Sequence, residues 1–200
     1  MNTPPIGILR RALLAAALVP AVMLAYDAYA GNLTANPVEY LENETGDWAI
    51  IFLIASLAIT PIRRLTGWNE VIRLRKMFGL VAYFYAAVHV VIWFTLVSFF
   101  DVATMAEDIV KRPFITVGMG TFLILTALAV TSTTGAIRRL GRRWQQLHRA
   151  VYVAAIGAVV HFWWLVKADI TRPRQWAVVL TLLLGFRLWW MWRARTLSRS

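Results

Sequence analysis

Long apolar runs separated by short charged stretches set the pattern of this chain. A helix crossing the hydrocarbon core of a bilayer needs roughly 20 mainly apolar residues. Six segments approach that length: 12–30, 48–62, 77–100, 114–137, 150–166 and 176–192. The first carries Pro20 and the sixth is interrupted by Arg187. The second is short, and Arg63 and Arg64 at its end are expected to snorkel toward headgroups. None of the runs shows the alternation of a barrel strand. The expected fold is all-α, an integral membrane bundle of six transmembrane helices forming one domain over residues 1–200.

The loops predict its orientation. Fifteen Lys and Arg residues lie before the first segment, between the second and third, between the fourth and fifth, and after the sixth, from Arg10 and Arg11 to Arg193, Arg195 and Arg199. Five lie on the opposite side: Lys111, Arg112, Lys167, Arg172 and Arg174. The richer side is cytoplasmic by the positive-inside rule, which places both termini there. The acidic residues Glu39, Glu42, Glu44, Asp47, Asp101, Glu107 and Asp108 then face outward. Tryptophans 144, 163, 164, 176, 189, 190 and 192 fall at the predicted boundaries, where an amphipathic ring anchors a helix. Arg10-Arg11, the following apolar run and Ala28-Tyr29-Ala30 also resemble a cleavable signal peptide. The run is long for such a segment, so it is read as a retained helix.

Composition agrees and excludes other classes. The chain is 60% hydrophobic and 16% charged, against about 45–50% and 25% for soluble domains. A net charge of +11 raises nucleic-acid binding. That reading fails because the basic residues sit between apolar runs and do not line one face of a folded module. The absence of cysteine rules out disulfides, iron–sulfur clusters, thiolate zinc sites and covalently attached c-type haem.

The candidate chemistry rests on three histidines. Ionisable residues inside a membrane helix are costly and mark functional positions. At 1.5 Å per residue, His89 and His161 each lie about 18 Å in from the basic side. Two imidazoles at one level suit axial ligation of one haem iron from both faces, and without cysteine that haem is b-type. Gly157, one turn before His161, would let a flat porphyrin lie close, as would Ala82 and Ala86 beside His89. The competing readings are interhelical hydrogen bonds without a ligand, a bare metal ion, and a proton path. His148 stands apart at the basic boundary. It lies about 140° around an ideal helix from His161, and Lys76 occupies the position 13 before His89. A second bis-histidine haem therefore lacks its partner. His148 is open to being a single axial ligand of a second haem, a flavin or quinone contact, or an interfacial residue.

The stretches LAITPIRRLTG (57–67), RKMFGLVAYFYAAVHVVIW (75–93) and LHRAVYVAAIGAVVHFWW (147–164) resemble the MsrQ or YedZ family, the haem-binding membrane subunits of the bacterial methionine sulfoxide reductase system. More broadly, they resemble the ferric reductase-like transmembrane domain. The resemblance implies an inner-membrane electron carrier whose partner is the periplasmic molybdopterin enzyme MsrP, and which supports repair of oxidised proteins. It implies haem b held by His89 and His161, with His148 as an additional family histidine, and FMN as an associated cofactor. Against the related NADPH oxidase pattern, the third segment has one histidine and not two. No G-x-G-x-x-G loop opens a βαβ unit, so the expected donor is quinol or a separate cytoplasmic flavin reductase. Arg75, with Arg73, Lys76, Arg138, Arg139, Arg142 and Arg143, lies near His148 and is a candidate for an FMN phosphate or haem propionates. Glu107 and Asp108 are candidates for partner docking. The expected role is a non-catalytic electron-transfer subunit. The alternatives are a stand-alone ferric or quinone reductase of this fold and a histidine-based proton or metal transporter.

Overall fold

The computed structural model describes residues 6–197; Arg199 and the side chain of Arg195 lie outside the described set. Every regular element among these residues is helical. In chain order they are α1 (Ile6–Ala30), α2 (Pro37–Thr66), α3 (Ile72–Ile92), α4 (Val102–Lys111), α5 (Pro113–Val130), α6 (Thr134–Leu140), α7 (Arg142–His148), α8 (Val151–Leu165) and α9 (Thr171–Leu197). Five helical stretches, over α1, α2, α3, α5 and α9, are long and apolar enough to cross a membrane. The fifth expected segment is the short one. At 15 residues, α8 spans about 22 Å against a hydrocarbon core of about 30 Å.

Helix boundaries follow local chemistry. Asn36 caps α2, accepting from Glu39 N and donating to Glu39 Oε2 at 2.7 Å, with Pro37 opening the helix. Gly67 closes it at φ 71°, the left-handed conformation that glycine adopts without strain. α2 thus starts well before the expected residue 48, because its first turns carry Glu39, Glu42, Glu44 and Asp47 and are not apolar. The expected fourth segment, 114–137, is cut at Val130. Thr131 and Ser132 return their hydroxyls to carbonyls of the last turn, and Thr133 caps α6 instead. A π-helical turn over Trp93–Val97 ends the third segment.

The core lies where α2, α3 and α8 meet, around Leu53, Leu57, Ala82, Tyr85, Ala154 and Ala155, each nearly inaccessible. Stacked rings of Trp48, Phe52, Tyr85 and Phe78 run through it at centroid distances of 5.6–6.2 Å. Tyr85 also reaches α1. Its hydroxyl donates to Ala17 O at 2.7 Å and accepts from Ala21 N at 3.2 Å, inserting itself into the backbone ladder beside Pro20. Such an insertion is one of the identifiable causes of a local helix bend. Arg187, the interruption in α9, is similarly explained. Pro61 in α2 has no N–H, so Leu57 O loses its helical donor; Arg187 Nη2 lies 3.5 Å from that oxygen, and its Nη1 bonds Tyr152 OH.

Candidate functional site

His89 on α3 and His161 on α8 face each other, with ring centroids 6.3 Å apart and planes crossing at 83°. Their depths had been matched by residue counting; the fold adds convergence. α3 packs chiefly on α2, and α8 chiefly on α5, so the two histidine helices are held by different neighbours.

Each ring is fixed through its Nδ1. His89 Nδ1 donates to Glu42 O at 3.0 Å and lies 3.4 Å from Thr45 Oγ1. His161 Nδ1 donates to Phe114 O at 2.7 Å. A carbonyl only accepts, so both Nδ1 atoms carry the proton and both Nε2 atoms keep a free lone pair. This is the arrangement of metal-binding histidines, whose second nitrogen sets tautomer and ring orientation.

The anchoring carbonyls share a sequence device. Glu42 and Phe114 each sit four residues before a glycine, Gly46 and Gly118. In a helix the residue at i+4 lies over the carbonyl of residue i, so a glycine there leaves that oxygen open to an outside donor. A Cβ on Gly46 would touch the His89 ring at 3.5 Å. A Cβ on Gly118 would stand 2.6 Å from His161 Nδ1 and 2.8 Å from its Cε1, a collision. Sequence reasoning missed both glycines. The available signal was that glycine is unfavourable within a helix unless packing requires it. Gly157, expected to leave room for a flat porphyrin, faces α5: a Cβ there would run into Thr121 Oγ1. Ala82 is fully buried in the core, and Ala86 is half-buried beside it.

Could these residues hold iron? Metal–imidazole bonds of about 2 Å, with about 1.2 Å from nitrogen to ring centre, put two opposed rings about 6.4 Å apart. The observed 6.3 Å fits. Among the described residues no group of three or more His, Asp or Glu side chains could hold a metal ion. A two-histidine site suits a metal whose remaining ligands come from a macrocycle, as in haem.

His148 is the last residue of α7 and does not join this pair. Its ring stacks on Trp144 at 4.0 Å, and its Nε2 lies 3.1 Å from Thr131 Oγ1. That hydroxyl already donates to Ala127 O, so His148 Nε2 is the donor and Nδ1 keeps the lone pair, the reverse of the other two histidines. Burial, and then the positive charge of Arg75, lower its pKa and favour the neutral ring. His148, Arg75, Lys76, Arg149, Trp144 and Tyr152 line a cavity of about 430 Å³. Arg75 is half-buried, and its carbonyl accepts from Ser56 Oγ at 3.0 Å. Arg73, Arg138, Arg139, Arg142 and Arg143 are exposed and are not part of the cavity wall. Along α3, Arg75 lies about 21 Å from His89 at 1.5 Å per residue. At the acidic end, Glu107 and Asp108 pair with Lys111 and Arg112 of their own segment.

A bundle of long apolar helices, with two imidazoles brought together between α3 and α8, places the chain among the helical membrane proteins. Residues 45–159 match the family described as ferric reductase like transmembrane component. A relative from Herminiimonas arsenicoxydans is 45% identical over all of this chain and 93% of its own length. One from Ralstonia nicotianae is 46% identical over 88% of this chain and 83% of its own, and one from Xanthomonas euvesicatoria 47% identical over the same shares. Each of the three is named as the protein-methionine-sulfoxide reductase heme-binding subunit MsrQ. The chain belongs to this MsrQ family of ferric reductase-like membrane proteins.

Proposed function

We propose that the protein is a haem b electron-transfer subunit of the bacterial inner membrane, with His89 and His161 as the residues that would hold the haem. It carries electrons outward to a periplasmic molybdopterin methionine sulfoxide reductase, MsrP, from quinol or a cytoplasmic flavin reductase. The supporting observation is the pair of free Nε2 lone pairs on rings 6.3 Å apart, each ring locked by a backbone carbonyl. Bound haem supplies the one-electron iron couple. The chain's own residues fix ring orientation through Glu42 O and Phe114 O. Six spans with both termini cytoplasmic remain the topology that best places the basic ends. The grip of Tyr85 on the α1 backbone supports α1 as a retained span.

A second cofactor contact belongs at His148 and Arg75. The neutral ring offers a free Nδ1, and Arg75 and Lys76 offer charge-assisted donors to an FMN phosphate or a haem propionate. A single histidine there does not make a second bis-histidine site. Gly157 contributes by bringing α5 close to α8. The transporter alternative is less well supported, because among the described residues no carboxylate side chain is bonded to the histidine pair.

The test is the absorption spectrum of the purified chain. A low-spin bis-histidine signal is expected, lost in both His89→Ala and His161→Ala and kept in His148→Ala. Retention of the wild-type spectrum in either of the first two variants refutes the pairing.

A further inference from the structure

Between the third and fourth expected segments lies an element with no role in the readings above. The chain leaves the π-helical turn through Phe99 and Phe100, at φ 47° and 62°, a conformation that bulky side chains avoid. The backbone is held there while both rings project outward, 77% and 62% exposed. Asp101 then caps α4, its Oδ1 accepting from Ala103 N and Thr104 N.

α4 is amphipathic. Projected at 100° per residue, Met105, Ile109, Val102, Ala106, Val110 and Ala103 form one continuous apolar arc, and Thr104, Glu107, Asp108 and Lys111 form the other. Two of these six residues are used: Met105 and Ile109 are half-buried where α4 packs on α5. The other four are exposed. Val102 is 68% and Val110 82% exposed, one turn either side of exposed Ala106. At 10 residues the helix covers about 15 Å, too short to span.

We propose that α4 is an interfacial helix whose Val102–Ala106–Val110 ridge, with Phe99 and Phe100, sits in the acyl boundary of the outer leaflet. The occupant is lipid and not a protein. The ridge is continuous with the lipid-facing surface, because α4 joins the ends of two spanning elements, α3 with its π-turn and α5. The polar arc is self-satisfied by the Lys111–Glu107 and Arg112–Asp108 pairs and asks for no outside charge. This is the pattern of helices that lie in the membrane plane.

The absence of cysteine makes the test direct. Full-length Val102→Cys, Val110→Cys and Glu107→Cys variants, each carrying a nitroxide, are placed in vesicles of phosphatidylethanolamine and phosphatidylglycerol. Collision with oxygen, which concentrates in lipid, is compared with collision with a water-soluble nickel chelate. The proposal expects oxygen to dominate several-fold at Val102→Cys and Val110→Cys, and nickel at Glu107→Cys. Nickel access at both ridge positions equal to that at Glu107→Cys overturns it and leaves the ridge as a surface for a protein partner. Protection from both probes overturns it in favour of a contact between copies. The two ridge variants are separate proteins, so misfolding of one leaves the other to decide.

Discussion

Replacing Gly118 by alanine is the sharpest test of how His161 is held. The new Cβ would stand 2.6 Å from His161 Nδ1, and the ring must retreat by about 0.8 Å to reach ordinary contact at 3.4 Å. The ring is tied on that side by the 2.7 Å bond to Phe114 O, which such a retreat lengthens to about 3.5 Å, the edge of hydrogen bonding. Forced overpacking costs about 1–3 kcal/mol, and a lost hydrogen bond about 1 kcal/mol net. Together these come to about 2–4 kcal/mol, or about 30–1,000-fold weaker haem binding at about 1.4 kcal/mol per tenfold; loss of the outer partner alone accounts for about 10–100-fold of it. The assay is haem titration of the apo-protein followed at the Soret band, with the low-spin signal as a second readout. Gly120→Ala is the control, since a Cβ there meets nothing within 4 Å and a helix gains from alanine. Gly46→Ala falls between, because its Cβ would only touch the His89 ring at 3.5 Å. Wild-type affinity and spectrum in Gly118→Ala, or equal losses in Gly118→Ala and Gly120→Ala, refute the idea that this glycine seats the histidine.

Three further outcomes follow from contacts away from the histidine pair. Tyr85→Phe removes the hydroxyl bridging Ala17 O and Ala21 N; a loss of about 1–3 kcal/mol is expected, read by reversible unfolding in mixed micelles, with the haem spectrum unchanged. Gly157→Ala drives a methyl into Thr121 and should cost about 1–3 kcal/mol, recovered in large part by adding Thr121→Ala because the two positions are in contact. The His148 ring should titrate below the ordinary value near 6.5, since burial and Arg75 both disfavour its charged form. Its contribution to stability is therefore complete above about pH 6.5 and is lost as the pH falls through its lowered folded value. Arg75→Gln should move that titration upward in an imidazole NMR experiment; no movement would mean the charge of Arg75 does not reach the ring.

The sequence carried the membrane class, the helical fold and the histidine pair, because each depends on features that add up along the chain. Twenty apolar residues need no partner to be recognised, and helical rise converts residue count into depth. The boundaries were less legible wherever polar chemistry opposed hydropathy. α2 began eleven residues early because Asn36 and Pro37 nucleate a helix on acidic residues, and α5 stopped at a run of hydroxyl residues that reads as apolar enough on average. α4 passed unseen because its apolar arc is only a few residues long.

What residue counting could not supply is the rotation of each histidine about its helix axis, and the fold supplies it through neighbours that are distant in sequence. Each ring is oriented by a helix other than its own: α2 for His89 and α5 for His161. In both cases the contact is an oxygen left uncovered by a glycine one turn later. Two such notches on two different helices also account for the crossed planes, since the direction of each Nδ1–Glu42 or Nδ1–Phe114 bond is set independently of the other. The glycine at 157 is the plausible choice from sequence because it shares a helix with His161, yet a residue on the same helix can clear space beside a histidine without turning its ring. Orientation requires a fixed acceptor across a helix interface, and in this chain that acceptor is backbone. A search for conspicuous polar side chains near the histidines passes over it.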